Sequence, residues 1–84
     1  GQSLSVYPNP NSGKLNIRIN GKIENSIIPY SIINNQGIII SFGQFNTSVS
    51  NNINLDLLNQ PEGLYILSAT VNGKKELVKF IVQK

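Results

Sequence analysis

The 84-residue chain contains neither His nor Cys, so the commonest general base, the commonest transition-metal ligand and the thiolate nucleophile are all missing. What remains able to do chemistry is four acids (Glu24, Asp56, Glu62, Glu76), nine serines and seven basic residues. Two carboxylates sharing a cleft would suffice for glycoside hydrolysis. These four are scattered, three of them beside turn sequences, and they read as solvated surface charges. No serine stands in a nucleophile-elbow or Ser-x-x-Lys setting. The sequence therefore reads as that of a non-enzymatic domain. Oxygen ligands do gather in Asn9-Pro10-Asn11-Ser12-Gly13, but a calcium loop draws on several carboxylates and this stretch has none. It reads as a turn, with no metal and no other cofactor.

Binding chemistry is the next possibility. Lys74, Lys75, Lys79 and Lys84 gather in the closing stretch. Lysines on an edge strand block edge-to-edge aggregation, and the same charges would suit an acidic partner or an anionic surface glycan. No stacking aromatic is interleaved with them, and the net charge of +3 is mild, so nucleic acid is not expected. Tyr7, Tyr30 and Tyr65 would make a sugar-stacking platform if they shared an exposed face, but the alternation below turns Tyr30 and Tyr65 inward.

The elements that must position these groups are all short. Thirteen Ile set among thirteen Asn is the composition of a β protein with many turns. Leu4 to Tyr7 is a first strand, stopped by Pro8-Asn9-Pro10-Asn11-Ser12-Gly13, where two prolines remove donors. Lys14 to Asn20 alternates, with Leu15, Ile17 and Ile19 inward, and Asn20-Gly21 suits a tight reversal. Ile27 to Ile33 turns Ile28, Tyr30 and Ile32 to one side, and Pro29 inside it, which cannot donate to a ladder, argues for a strand edge or a bulge. Asn34 to Gly37 is a turn. The strand from Gly37 to Phe45 carries Ile38, Ile40 and Phe42 on its apolar face, with Ser41 and Gly43 on the other. Asn46 to Asn52 is long enough to cross between sheets.

In Leu55 to Val71 a first run places Leu55 and Leu57 together, breaks at Asn59-Gln60-Pro61-Glu62-Gly63, and resumes with Tyr65, Leu67, Ala69 and Val71 on one face. A Pro/Gly corner followed by a Tyr just inside the next strand is how sandwich domains pass from one sheet to the other. Asn72-Gly73 between alternating runs is a hairpin signal. The final strand, Lys75 to Lys84, turns Val78, Phe80 and Val82 inward. The pattern predicts a single all-β domain over residues 1–84, a seven-stranded antiparallel immunoglobulin-like β-sandwich, with a small barrel as the alternative. The first and last strands either pair or occupy opposite edges. No stretch approaches the ~20 apolar residues that span a bilayer. The chain starts at Gly1 and reads as a piece of a longer protein.

Three segments resemble the type A C-terminal sorting domains of proteins exported by the type IX secretion system of Bacteroidota. They are Leu4-Ser5-Val6-Tyr7-Pro8-Asn9-Pro10-Asn11-Ser12-Gly13, Asn34-Asn35-Gln36-Gly37-Ile38-Ile39, and the closing run from Leu58 through Gly63-Leu64-Tyr65-Ile66-Leu67 to Lys79-Phe80-Ile81-Val82-Gln83-Lys84. The resemblance implies a non-catalytic signal domain behind an upstream cargo domain. The cargo passes through the periplasm to the outer-membrane translocon and ends secreted or on the cell surface. It further implies removal by a sortase-like surface protease, at or before Gln2-Ser3, often with transfer of the cargo to anionic lipopolysaccharide. By motif match, Gly63, Tyr65, Lys79 and Lys84, with Phe80 and Val82 beside them in the closing strand, are the partner-recognition positions; Pro8, Asn9, Pro10 and Gly13 form the structural turn. Strand addition to a free edge of Lys79 to Lys84 is the physical route by which a partner would read such a strand. Two other readings stand beside it: a carbohydrate-binding or adhesion sandwich module, marked by a row of exposed Tyr, and a structural spacer that runs on into a further domain.

Overall fold

A computed structural model describes residues 3–84; the expected processing point at or before Gln2-Ser3 lies outside the described residues. The described chain forms seven strands and no helix: β1 (Leu4–Tyr7), β2 (Lys14–Ile19), β3 (Ile27–Asn34), β4 (Ile39–Asn46), β5 (Asn52–Asp56), β6 (Gly63–Val71) and β7 (Lys74–Val82). They pair antiparallel in two sheets, one ordered β1-β2-β5 and the other β4-β3-β6-β7. This is the predicted immunoglobulin-like sandwich, and a barrel is not formed. The chain changes sheet at residues 20–26, 47–51 and 57–62.

Alternation decides what lies between the sheets. Leu15, Ile17 and Ile19 of β2 face Ile28, Tyr30 and Ile32 of β3 and Tyr65, Leu67, Ala69 and Val71 of β6, all buried. Burying side chains of this size contributes roughly 1.5–3 kcal/mol each. The one tight hairpin signal that works as read is Asn72-Gly73. Both residues take positive φ, 51° and 78°, which a two-residue turn matching strand twist requires, and Val71 pairs with Lys74 across it.

Three expectations need correction. Asn20-Gly21 is not a tight reversal, because both neighbours of β2 are already supplied by β1 and β5, and residues 20–26 instead carry the chain to the other sheet. Side-chain bonds of Asn72 hold that crossing: its Oδ1 accepts from Glu24 N at 2.8 Å and its Nδ2 donates to Lys22 O at 2.7 Å. Pro29 marks no bulge, and the strand edge it signals is local, on the side toward β6 alone. β3 is an interior strand, and Pro29 pairs with Gln44 of β4 at a point where the ladder to β6 has not begun, so a missing donor is tolerated there. The irregularity falls between Ile32 and Ile33.

The third correction is the face of β4. Phe42 is 81% exposed and Ile38 and Ile39 are exposed, whereas Gly43 lies under the ring of Tyr30. A Cβ at position 43 would stand 2.7 Å from the Tyr30 hydroxyl. The Tyr30 ring takes the space a β4 side chain would fill and meets Phe45 edge-on at 5.6 Å. Gly43 therefore shares the core side of β4 with the buried Phe45, while Phe42 and Ile39 face out.

Candidate functional site

The residues singled out from the sequence converge on one end of the four-stranded sheet, around β7. The β6–β7 register sets Gly63 against Val82, Tyr65 against Phe80 and Ile66 against Lys79. Tyr65, Phe80 and Val82 are buried, and the Tyr65 and Phe80 rings stack with centroids 5.8 Å apart. Of the expected recognition residues in the strand, Lys79 alone presents its side chain to solvent. Its exposed strand neighbours on the same side are Leu77 and Ile81.

The Pro-Asn-Pro turn lies against the outer edge of β7. Both of its X-Pro bonds, Tyr7-Pro8 and Asn9-Pro10, are cis. Asn9 works like a short strand partner: its Oδ1 accepts from Ile81 N at 3.0 Å and its Nδ2 donates to Lys79 O at 3.4 Å. Asn11 continues the contact through its backbone, donating to Ile81 O at 3.0 Å and accepting from Gln83 N at 2.7 Å, in a parallel bridge to Val82. Its buried side chain holds the turn from inside, Oδ1 accepting from Gly13 N at 2.9 Å and Nδ2 donating to Pro8 O at 3.1 Å. Gly13, at φ 114°, passes so close to Leu58 that a Cβ would meet it at 3.1 Å, and its carbonyl accepts from Leu57 N at 2.6 Å. The expectation of a free edge at Lys79 to Lys84 is thereby overturned: Ile81 and Gln83 are already bonded to the turn, so an added strand would have to displace it.

The other side of β7 meets the sheet-to-sheet corner. The Tyr65 hydroxyl donates back to Pro61 O at 2.5 Å, the tyrosine-corner contact of immunoglobulin-like sandwiches. Lys84 closes over the same corner, its Nζ donating to Leu58 O at 2.6 Å and Gln60 O at 2.7 Å, while its backbone N–H donates to a Glu62 carboxylate oxygen. Lys84 thus caps orphan carbonyls. Desolvation raises the Tyr65 hydroxyl above its ordinary value, and does the same to Tyr30.

Two residues that matter to this arrangement were not legible as such. Glu76, read from sequence as a surface charge, is 8% exposed and points inward opposite Ala69. Its Oε1 accepts from Ser3 N at 2.7 Å and Leu4 N at 3.1 Å, tying the start of β1 to β7. The first and last strands are therefore neighbours on the same side of the sandwich, at the edges of different sheets. The signal was present in the alternation, since Glu76 shares a face with Val78, Phe80 and Val82. Asn11 is the second, and its burial amid five turn formers had no sequence signature. No buried side-chain polar atom among the described residues lacks a partner.

Other chemistry finds less support. Among the described residues no three acids group as a metal site would need. Tyr7 is the one Tyr with substantial exposure, and its hydroxyl is tied to Asn52 Oδ1 at 2.8 Å, so no row of Tyr faces a sugar. Lys74, Lys75 and Lys79 are exposed on β7. Among the described residues no helix is long and apolar enough to cross a membrane.

No curated protein matches the chain. Residues 5–83 match the family described as the secretion system C-terminal sorting domain.

Proposed function

The chain belongs to the family of type IX secretion C-terminal sorting domains, and from that premise we propose how it serves as a sorting signal. It directs an upstream cargo domain across the cell envelope, and the folded sandwich is what the secretion machinery meets. It is recognised and has no catalysis of its own. The cargo is delivered through the outer membrane, and a sortase-like surface protease then removes the domain by cutting on the N-terminal side of β1.

The observation that carries the sorting function is the family match over residues 5–83, nearly the whole chain. The clamped state of β7 supports a division of labour among the motif residues. Tyr65, Phe80 and Val82 act through the core, Gly63 and Lys84 through the corner, and Pro8, Asn9, Pro10 and Gly13 through the turn that covers β7. Lys79 is the position whose side chain a partner touches directly.

A reporter fused to residues 1–84 and expressed in a type IX-competent Bacteroidota host tests this. The fusion reaches the surface or medium, the reporter alone stays in the periplasm, and terminal sequencing of the released reporter places the cut before β1. Equal periplasmic retention with and without the domain sinks the sorting function. Export unchanged after deletion of Lys79 to Lys84 sinks the role of the closing strand.

A further inference from the structure

The two outer faces of the sandwich differ in a way that core packing does not explain. On the three-stranded sheet the outward residues are Ser5 and Tyr7, Lys14, Asn16 and Arg18, and Asn52, Asn54 and Asp56, an ordinary solvated face. On the four-stranded sheet, register places Ile39, Ile33 and Ile66 in one row across β4, β3 and β6, ending at Lys79 of β7. Leu64 and Ile81 form the adjoining row, and on the other side Phe42 and Leu77 end a row whose middle positions are Ser31 and Ser68. Phe42, Ile39, Leu77, Ile81 and Leu64 are all exposed, at 81%, 58%, 50%, 47% and 39%. Singly exposed apolar residues are ordinary; a connected strip across a whole sheet marks an interaction surface.

Charge says what covers it. Lys75 and Lys79 stand on this face along β7, and the one acid in the four strands, Glu76, points inward. The strip thus has a cationic border along β7; the exposed acid nearest it, Glu62, lies just before β6 beside Leu64, where its carboxylate already accepts from the Lys84 backbone N–H. A second copy laid face to face sets β7 against either β7 or β4, and neither strand turns a carboxylate outward to meet the lysines, which disfavours self-association. We propose that the outer face of the four-stranded sheet docks a partner protein presenting an apolar surface with carboxylates along the side that meets β7. The proposal rests on the sorting function and names the surface on which the secretion machinery takes hold. It also answers the closed edge of β7: the partner reads the face of the sheet and leaves the turn in place. Phe42 and Ile39 are its apolar anchors, and Lys79 sets its orientation.

The test uses the reporter fusion with four alterations: Phe42→Ser with Ile39→Ser, Lys75→Glu with Lys79→Glu, Lys79→Arg, and Asn16→Ser with Asn54→Ser on the polar face. Each altered domain is also purified to read its unfolding midpoint, its sedimentation and its flotation with anionic phospholipid vesicles. The expected result is a loss of export of about ten-fold or more for the first two, as for removal of central interface anchors. Midpoints stay near the parent's, the polar-face variant is exported normally, and Lys79→Arg, which keeps the charge, loses less export than the double Glu variant. A photo-reactive benzophenone side chain at position 81, on β7 beside Lys79, cross-links in cells to a protein at an acid-bearing peptide, and the double Glu variant abolishes the cross-link. Normal export of the first two variants overturns the proposal, as does export loss that merely follows unfolding. A dimer broken by Phe42→Ser, or vesicle binding lost with it, overturns it in favour of a second copy or a lipid surface. If the unaltered fusion is itself retained, the sorting function fails and the proposal with it; an exported parent with exported variants refutes the proposal alone.

Discussion

Asn11→Ala is the substitution on which the clamp on β7 depends most. It removes the bond from Gly13 N at 2.9 Å and the bond to Pro8 O at 3.1 Å. Asn11 is 4% exposed, so water does not replace what is lost. Each bond is worth about 1 kcal/mol net, and a buried N–H left without a partner costs roughly 1–3 kcal/mol more, giving a loss of about 3 kcal/mol at the low end. A chain of this length has a folding stability of about 4–12 kcal/mol, so the loss is a large share of the whole. At roughly 4–8 °C per kcal/mol the unfolding midpoint falls by about 12–24 °C. Thermal circular dichroism reads the midpoint, and amide hydrogen exchange reads the mechanism. The Ile81 and Gln83 amides, which donate to Asn9 and Asn11, lose protection before those in the middle of β6. A midpoint within about 3 °C of the parent, with Gln83 as protected as before, refutes the reasoning.

Gly43→Ala is expected to destabilise by about 1–3 kcal/mol through overpacking against the Tyr30 hydroxyl, 2.7 Å from the new Cβ, and Tyr30→Phe recovers part of that loss. A double-mutant cycle with no coupling contradicts the contact. Glu76→Ala removes a carboxylate acceptor from two backbone N–H groups and costs roughly 3 kcal/mol in urea unfolding, whereas Glu76→Gln, which keeps an acceptor oxygen, costs less than half as much. Equal losses for the two would show that the anchor is not hydrogen bonding. Burial raises both Tyr30 and Tyr65 above their ordinary 10.0, so the folded state keeps protons that the unfolded chain releases. Their contribution is complete below pH 10 and is lost as pH rises through the raised values. The urea midpoint therefore falls in that window, and falls less in Tyr65→Phe; a midpoint rising with pH there contradicts the assignment.

Period-two alternation made most of the sandwich legible, because inward faces such as Leu15-Ile17-Ile19 and Tyr65-Leu67-Ala69-Val71 are apolar at one parity only. The corner was legible for a similar reason: Pro61, Gly63 and Tyr65 are local, and the hydroxyl bond to Pro61 spans few residues. β4 misled because Ile38, Ile39 and Ile40 are apolar at both parities. Its register is decided instead by Tyr30, a residue on another strand that needs Gly43 beneath it. The clamp was hidden for the same cause at longer range. Asn9 and Asn11 meet Ile81 and Gln83, and Glu76 meets Ser3 and Leu4, across most of the chain. Alternation turns Glu76 inward, but neither a side-chain bond to backbone nor a bridge made by a turn leaves a periodic trace of its partner. Lys84 shows the same limit, since a terminal lysine reads as displayed until the carbonyls of Leu58 and Gln60 are found beneath it.

The central claim is that this sandwich addresses a cargo to type IX secretion. Its most direct test is the surface-to-periplasm ratio of a reporter carrying residues 1–84, measured in one Bacteroidota strain and in its derivative lacking the type IX translocon. The expected result is a reporter outside the first strain and confined to the periplasm of the second. A reporter distributed alike in both would contradict the claim.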